Sequence, residues 1–262
     1  MILVGTSGYS YPEWRGHFYP PRLPQNQMLA YYAEAFPAVE VNSTYYRIPT
    51  ARGLEAMVRR SGGRLTFAVK APRELTHDRD KAAEALPLFR EALKPMEVAG
   101  ALGCVLVQFP FAFRPGPESA AHILGLRDGL GELPAVVEFR HRRWVSEDTF
   151  DWLRRHRLSF CCVDEPQLPG LLPPIAVATG PVAYVRFHGR NAARWWQHAE
   201  AWERYDYLYS EAELLPWVQR IRTLESQSTT TFVFFNNHAA GQAAANARMM
   251  QRLLAGPASV SR

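Results

Sequence analysis

Eight short apolar runs recur along the chain, separated by stretches with helical spacing. The runs are 2–5, 39–42, 66–70, 104–108, 136–140, 160–164, 183–188 and 231–236, each rich in Val, Phe or other apolar residues. Strands buried on both faces read this way. Between them, Met28, Leu29, Tyr32 and Phe36 share one face of a helix over 25–36, and Leu54, Met57 and Val58 do the same over 50–61. Ser146 followed by Glu147 and Asp148 predicts the start of a helix over 147–156, and Ser210 with Glu213 forms a capping box. An Ala-rich helix is expected over about 240–254. Strands alternating with helices specify an α/β fold with a parallel sheet. The count favours a closed TIM-type (β/α)8 barrel over a doubly wound open sheet. The turn after the first run, Gly5-Thr6-Ser7-Gly8-Tyr9-Ser10, also lacks the GxGxxG spacing of a dinucleotide fold.

The chain has 262 residues, against roughly 250 for one such barrel. Residues 1–255 are therefore expected to form a single barrel domain, with 256–262 a loosely ordered tail. Pro166, Pro169, Pro173 and Pro174 leave no room for a full helix after strand 6, so that helix is expected to be irregular or missing. Pro87 and Pro95 predict a kink or two shorter helices in the third helical region.

Three cysteines, Cys104, Cys161 and Cys162, all fall in apolar runs and read as small buried hydrophobes rather than a disulfide framework. No secretory signal or membrane-length apolar run is visible, so the cytoplasm is the expected compartment, with no membrane partner. A net charge of +5 permits a polyanionic partner without requiring one.

Strand parity locates the chemistry. Glu40 and Asn42 share a face; so do Ala68 and Lys70, Glu138 and Arg140, and Tyr184, Arg186 and His188. Asp164 is in phase with Cys162, while Gln108 and Asn236 end their own strands and Thr6 and Ser7 end the first. In a barrel the inward residues at the C-terminal strand ends open to the catalytic mouth. Buried charges are costly unless paired, so a polar ring of this kind points to a ligand. His77, Arg190 and Asn237 follow on adjacent loops, and the helix expected near residue 240 offers an N-terminus suited to an anion. Tyr9, Tyr11, Trp14, Tyr45, Tyr46, Trp144, Trp195 and Trp196 add aromatic surface in loops, with Trp14 and Trp144 reading as a hydrophobic lid. No cofactor is expected. A divalent metal remains possible from Glu40, Glu138, Asp164, His77, His188 and His238, although no metal-ligand spacing or GxSxG elbow is present.

The ordered motifs resemble a known family. They are Gly5-Thr6-Ser7-Gly8-Tyr9 with Trp14 and Phe18-Tyr19-Pro20, then Glu40-Val41-Asn42-Ser43-Thr44-Tyr45-Tyr46. Phe67-Ala68-Val69-Lys70-Ala71-Pro72 with Thr76-His77 follows, then Gln108-Phe109-Pro110 and Glu138-Phe139-Arg140-His141 with Trp144. Val185-Arg186-Phe187-His188-Gly189 and Phe234-Phe235-Asn236-Asn237 complete the series. This series resembles the YecE-like family, domain of unknown function 72. The resemblance implies a TIM-type barrel and brings little functional knowledge. The chain departs from the family pattern at Tyr9, where Trp is common, and at Phe235, where Tyr is frequent.

The first functional expectation is a hydrolase acting on a phosphodiester or other phosphorylated substrate. In it Glu40 or Glu138 serves as acid or base, His188 and His77 carry protons, and Arg186, Arg190 and Asn236 hold the anion. The alternatives are a sugar-phosphate isomerase or lyase with Lys70 as Schiff-base nucleophile and a non-catalytic single-stranded nucleic-acid binding module. The binding module would use Arg142, Arg143, Arg190, Arg194, Trp195 and Trp196. The expected partner is thus a phosphorylated small molecule or a single-stranded nucleic acid.

Overall fold

A computed structural model describes residues 1–256. Eight parallel strands close into a barrel in sequence order. They are β1 (Ile2–Ser7), β2 (Ala38–Val41), β3 (Thr66–Lys70), β4 (Leu102–Gln108), β5 (Ala135–Glu138), β6 (Leu158–Asp164), β7 (Val182–Phe187) and β8 (Thr230–Phe235). The surrounding helices are α1 (Met28–Ala35), α2 (Ala51–Arg60), α3 (Arg73–Thr76), α4 (Ala82–Val98), α5 (Pro117–Leu130), α6 (Glu147–Arg155), α7 (Glu211–Ser226) and α8 (Gln242–Ala255). The tail expected over 256–262 lies outside the described residues from 257 onward.

The chain runs from β6 to β7 without a helix, as the four prolines predict. The capping box forms: Glu213 accepts from the Ser210 amide at 2.9 Å and opens α7. All three cysteines are buried and unpaired. Among the described residues no helix is long and apolar enough to cross a membrane.

Two expectations need correction. Pro87 and Pro95 lie inside one continuous helix, α4. Each removes the hydrogen bond to the carbonyl four residues earlier, and those carbonyls belong to Ala83 and Glu91, which are exposed and can be hydrated. The helix expected from about 240 begins at Gln242, because Ala240 and Gly241 adopt positive φ and break the turn that precedes it.

Register settles which strand face points inward. Ser7 pairs with Glu40, Gln108 with Glu138, and Arg186 with both Val163 and Phe234. Paired residues in a parallel sheet project to the same side. The interior therefore holds Ser7, Glu40, Lys70, Gln108, Glu138, Val163, Arg186 and Phe234. Thr6, Asp164 and Phe235 face the helical layer.

Candidate functional site

The barrel centre is an ion network. Arg186 is 1% exposed and extends from β7 across the lumen. Its Nε and Nη2 donate to Glu40 at 2.9 and 2.6 Å, and Nη1 donates to Glu138 at 2.6 Å. The Tyr184 hydroxyl donates to the same Glu40 oxygen that accepts from Arg186 Nε, at 2.6 Å. The other Glu138 oxygen faces Arg140 Nε at 2.7 Å and His188 Nε2 at 3.2 Å. The Arg140 contact is an ion pair without hydrogen-bond alignment. Burial alone would raise the Glu138 carboxyl, but Arg140 and Arg186 together hold it well below the usual range.

His188 is fully buried. Burial, with Arg140 beside it, pushes its pKa down to about 3, so the imidazole is neutral. The network assigns its tautomer: Nε2–H donates to Glu138, and Nδ1 accepts from the Asn236 amide at 3.2 Å. Both ring nitrogens of His188, expected from its position to carry protons, are engaged within the network. Glu40 and Glu138 are likewise sealed at 0% exposure with all four oxygens engaged.

Above this floor a cavity of about 570 Å³ opens at the C-terminal strand ends. Its walls include Asn42, Lys70, Gln108, Arg140, Arg186 and Asn236. Six residues expected at the mouth are therefore assembled there. His77 reaches a second lobe of about 360 Å³ that shares Lys70, Gln108 and Arg140 with the first. Burial, then Lys70, pushes His77 down to about 4, so it too is neutral. The Lys70 ammonium lies 4.3 Å over the Tyr45 ring and has no carboxylate partner among the described residues. Burial, then Arg186, lowers its pKa to about 7.

Besides Glu40, Glu138 and His188, which lie in the network below, four expected site residues do not line the cleft. Thr6 turns outward and bonds the Tyr32 hydroxyl of α1. Asp164 also faces outward, where it accepts from Tyr209 at 2.8 Å, from Trp217 Nε1 at 2.7 Å and from both ends of the Arg190 fork at 2.7 Å. Arg190 is engaged in that pairing, and Gly189 before it has a φ of 87°. A Cβ there would come within 2.8 Å of Tyr207. Asn237 bonds the Tyr207 carbonyl and Asn246 of α8, both at 2.8 Å. No residue of α8 lines the cleft, so its N-terminus is not the anion seat expected there. Trp14 and Trp144 are buried lid residues, their indole N–H groups bonding the carbonyls of His238 and Phe113.

Glu165 is the residue that sequence parity overlooked. It follows Asp164 directly and so takes the opposite, inward phase. It is 1% exposed, accepts from the Leu172 amide at 2.9 Å, and leaves its other oxygen 3.6 Å from Arg140 Nη1 with no hydrogen-bond partner. Burial, partly offset by Arg140, raises it to about 7. A raised carboxyl favours folding most below its unfolded value near 4.5 and loses that advantage as pH climbs through 7. Urea unfolding of Glu165→Gln is expected to show a flatter stability profile between pH 5 and 8 than the parent. Parallel profiles for the two proteins would refute the assignment.

Among the described residues, no three His, Cys, Asp or Glu side chains converge as metal ligands. Asp164 lies in the outer layer, while Glu40 and Glu138 sit within the Arg186 network.

The comparisons agree with this architecture. A family model described as "Protein of unknown function DUF72" matches residues 3–261. The chain is 33% identical to the UPF0759 protein YunF of Bacillus subtilis, covering 97% of this chain and 95% of that one. A crystal structure of a DUF72 family protein from Thermotoga maritima superposes with a TM-score of 0.89 at 40% identity, covering 97% and 99% of the two chains. One from Enterococcus faecalis gives 0.85 at 27% identity, covering 97% and 96%. The sequence motifs, the closed barrel and these matches together place the chain in the DUF72 family.

Proposed function

We propose that the cleft binds a small anion bearing a carbonyl group and that Lys70 attacks that carbonyl as a free amine, making the protein an isomerase or lyase of sugar-phosphate-like substrates. The observation that carries this is the setting of Lys70. It is desolvated, flanked by two arginines, over a tyrosine face, and without a carboxylate to hold it protonated. With a pKa of about 7, half of it is free amine at neutral pH, against on the order of one in 2,500 for an ordinary lysine. Desolvation beside cations is a recognised way to activate an amine. Nζ adds to the carbonyl carbon, the carbonyl oxygen leaves as water, and the resulting imine accepts the electron pair of an adjacent breaking bond. Arg140 and the protonated fraction of Lys70 supply positive charge for a phosphate or carboxylate, and Asn42, Gln108 and Asn236 supply amides to orient hydroxyls.

Phosphodiester hydrolysis, the first expectation from sequence, has less support. Its intended bases, Glu40 and Glu138, lie beneath the cleft with every oxygen engaged. The nucleic-acid footprint is also dispersed, since Trp195 is 2% exposed and Arg190 is paired with Asp164.

Borohydride trapping tests the reading. Glyoxylate, pyruvate, dihydroxyacetone phosphate and glyceraldehyde 3-phosphate are each incubated with the protein and reduced, and the peptides are weighed. An adduct on Lys70 is expected, with a yield rising through half-maximum near pH 7 and lost in Lys70→Arg. The reading fails if no compound labels Lys70 in preference to Lys81 and Lys94, or if labelling rises only near the pKa of an ordinary lysine.

A further inference from the structure

The second lobe has a character of its own. Its apolar walls come from three separate loops: Pro110 and Phe111 after β4, Leu171 after β6, and Trp195 and Trp196 after β7. Trp195 is buried and anchors its loop, which leaves its neighbour Trp196 half exposed. The Trp196 and Phe111 rings lie 5.0 Å apart between centroids at 67°, forming two sides of a corner. Neither ring belongs to the apolar core packing.

Phe111 is held in place. The Arg114 guanidinium sits 4.7 Å over its ring. Gly170, with φ of +88°, lets the loop after β6 press against it; a Cβ there would stand 2.9 Å from the ring tip. A large aromatic left exposed beside a pre-formed apolar corner marks a binding surface. The corner opens onto the Lys70 lobe through the shared residues Tyr45, Lys70, Gln108, Arg140 and Tyr205.

We infer that this lobe is a subsite for a planar aromatic ring, so that the ligand of the cleft is an aryl-bearing anion with its charged end by Lys70 and Arg140 and its ring against Trp196 and Phe111. This rests on the anion end lying in the Lys70 lobe, but not on imine formation there. The ring could come from a free aryl acid or from a nucleotide, since both present a π-face joined to an anion. Stacking on one aromatic side chain improves affinity by roughly tenfold or more.

Calorimetric titrations provide the test, using ligands that carry no aldehyde or ketone to trap. Phenyl phosphate, indole-3-acetate and AMP are compared with the ring-free propyl phosphate and acetate. The aryl anions are expected to bind about tenfold tighter or better. Trp196→Ala or Phe111→Ala should bring the aryl to ring-free affinity ratio close to one, while Lys70→Arg preserves it. Trp196 is exposed enough for its truncation to leave folding intact, and an unchanged Tm serves as the control. Preference for AMP alone identifies a nucleotide source, and preference for phenyl phosphate and indole-3-acetate a free aryl acid; either supports the subsite. Equal affinities, a ratio that survives both truncations, or no binding of any aryl anion at millimolar concentration would overturn it. Trapping of Lys70 by pyruvate together with no aryl preference would sink the subsite and leave the imine reading standing.

Discussion

Arg186→Met is expected to cost about 3–5 kcal/mol of folding stability, because it leaves two carboxylates buried without their shared cation. Glu40 has no other cation within ion-pair distance among the described residues, and Glu138 keeps only the misaligned Arg140 contact and the neutral His188. Methionine fills much of the volume without a charge, so the loss reports electrostatics more than a cavity. For a domain of this size the midpoint should fall by roughly 6–20 °C. The loss should also depend on pH. Arg140 and Arg186 hold the Glu138 carboxyl low in the parent, a stabilisation present above the usual carboxylate range and lost in acid, so the parent's advantage over the variant should be smallest in acid and largest at neutral pH. Adding Glu40→Gln and Glu138→Gln to the variant should recover part of the stability at pH 7, since no charge is then stranded. A cost below about 1 kcal/mol at pH 7 would show that the network contributes little to holding the barrel together.

Asp164→Ala is the second large effect, and it separates structure from function. Removing this carboxylate strands the buried Trp217 indole N–H and leaves the Tyr209 hydroxyl only the longer 3.3 Å bond to the Asp164 backbone carbonyl, which at about 1–3 kcal/mol for each lost partner amounts to at most roughly 2–6 kcal/mol. Asp164→Asn keeps one acceptor oxygen and should cost less. Because Asp164 faces α7 and not the lumen, affinity of the folded variant for phenyl phosphate should match the parent. A drop in that affinity at a temperature where both proteins are folded would return Asp164 to the ligand site.

The strands were legible because each is a compact apolar run bounded by polar or turn residues, and their observed ends fall within two residues of the sequence reading. The mouth was legible for a related reason: a polar residue closing an apolar strand has few places to go in a barrel. Lys70, Arg140 and Arg186 were placed this way. Asp164 shows the limit. Parity correctly put it in phase with Cys162, but parity does not say which phase is inward. That answer comes from register with β7, where Val163 sits opposite Arg186, and from a tryptophan 53 residues downstream. The same blind spot hid Glu165. The hydrogen-bond partners of Glu138 and His188 were hidden for a different reason. Their identity suggested proton transfer, whereas each is engaged by partners on strands far apart in sequence.

The span of the Arg186 network has a consequence for biosynthesis. Glu40 and Glu138 precede their shared cation by 146 and 48 residues. As the chain leaves the ribosome, both acids are present long before the arginine that neutralises them. A front half ending at β4 carries Glu40 without Arg186, the cation that holds it in the finished barrel. Closure also needs β8, which pairs with both β1 and β7, so the charge network and the ring of strands are completed together by the last quarter to third of the chain.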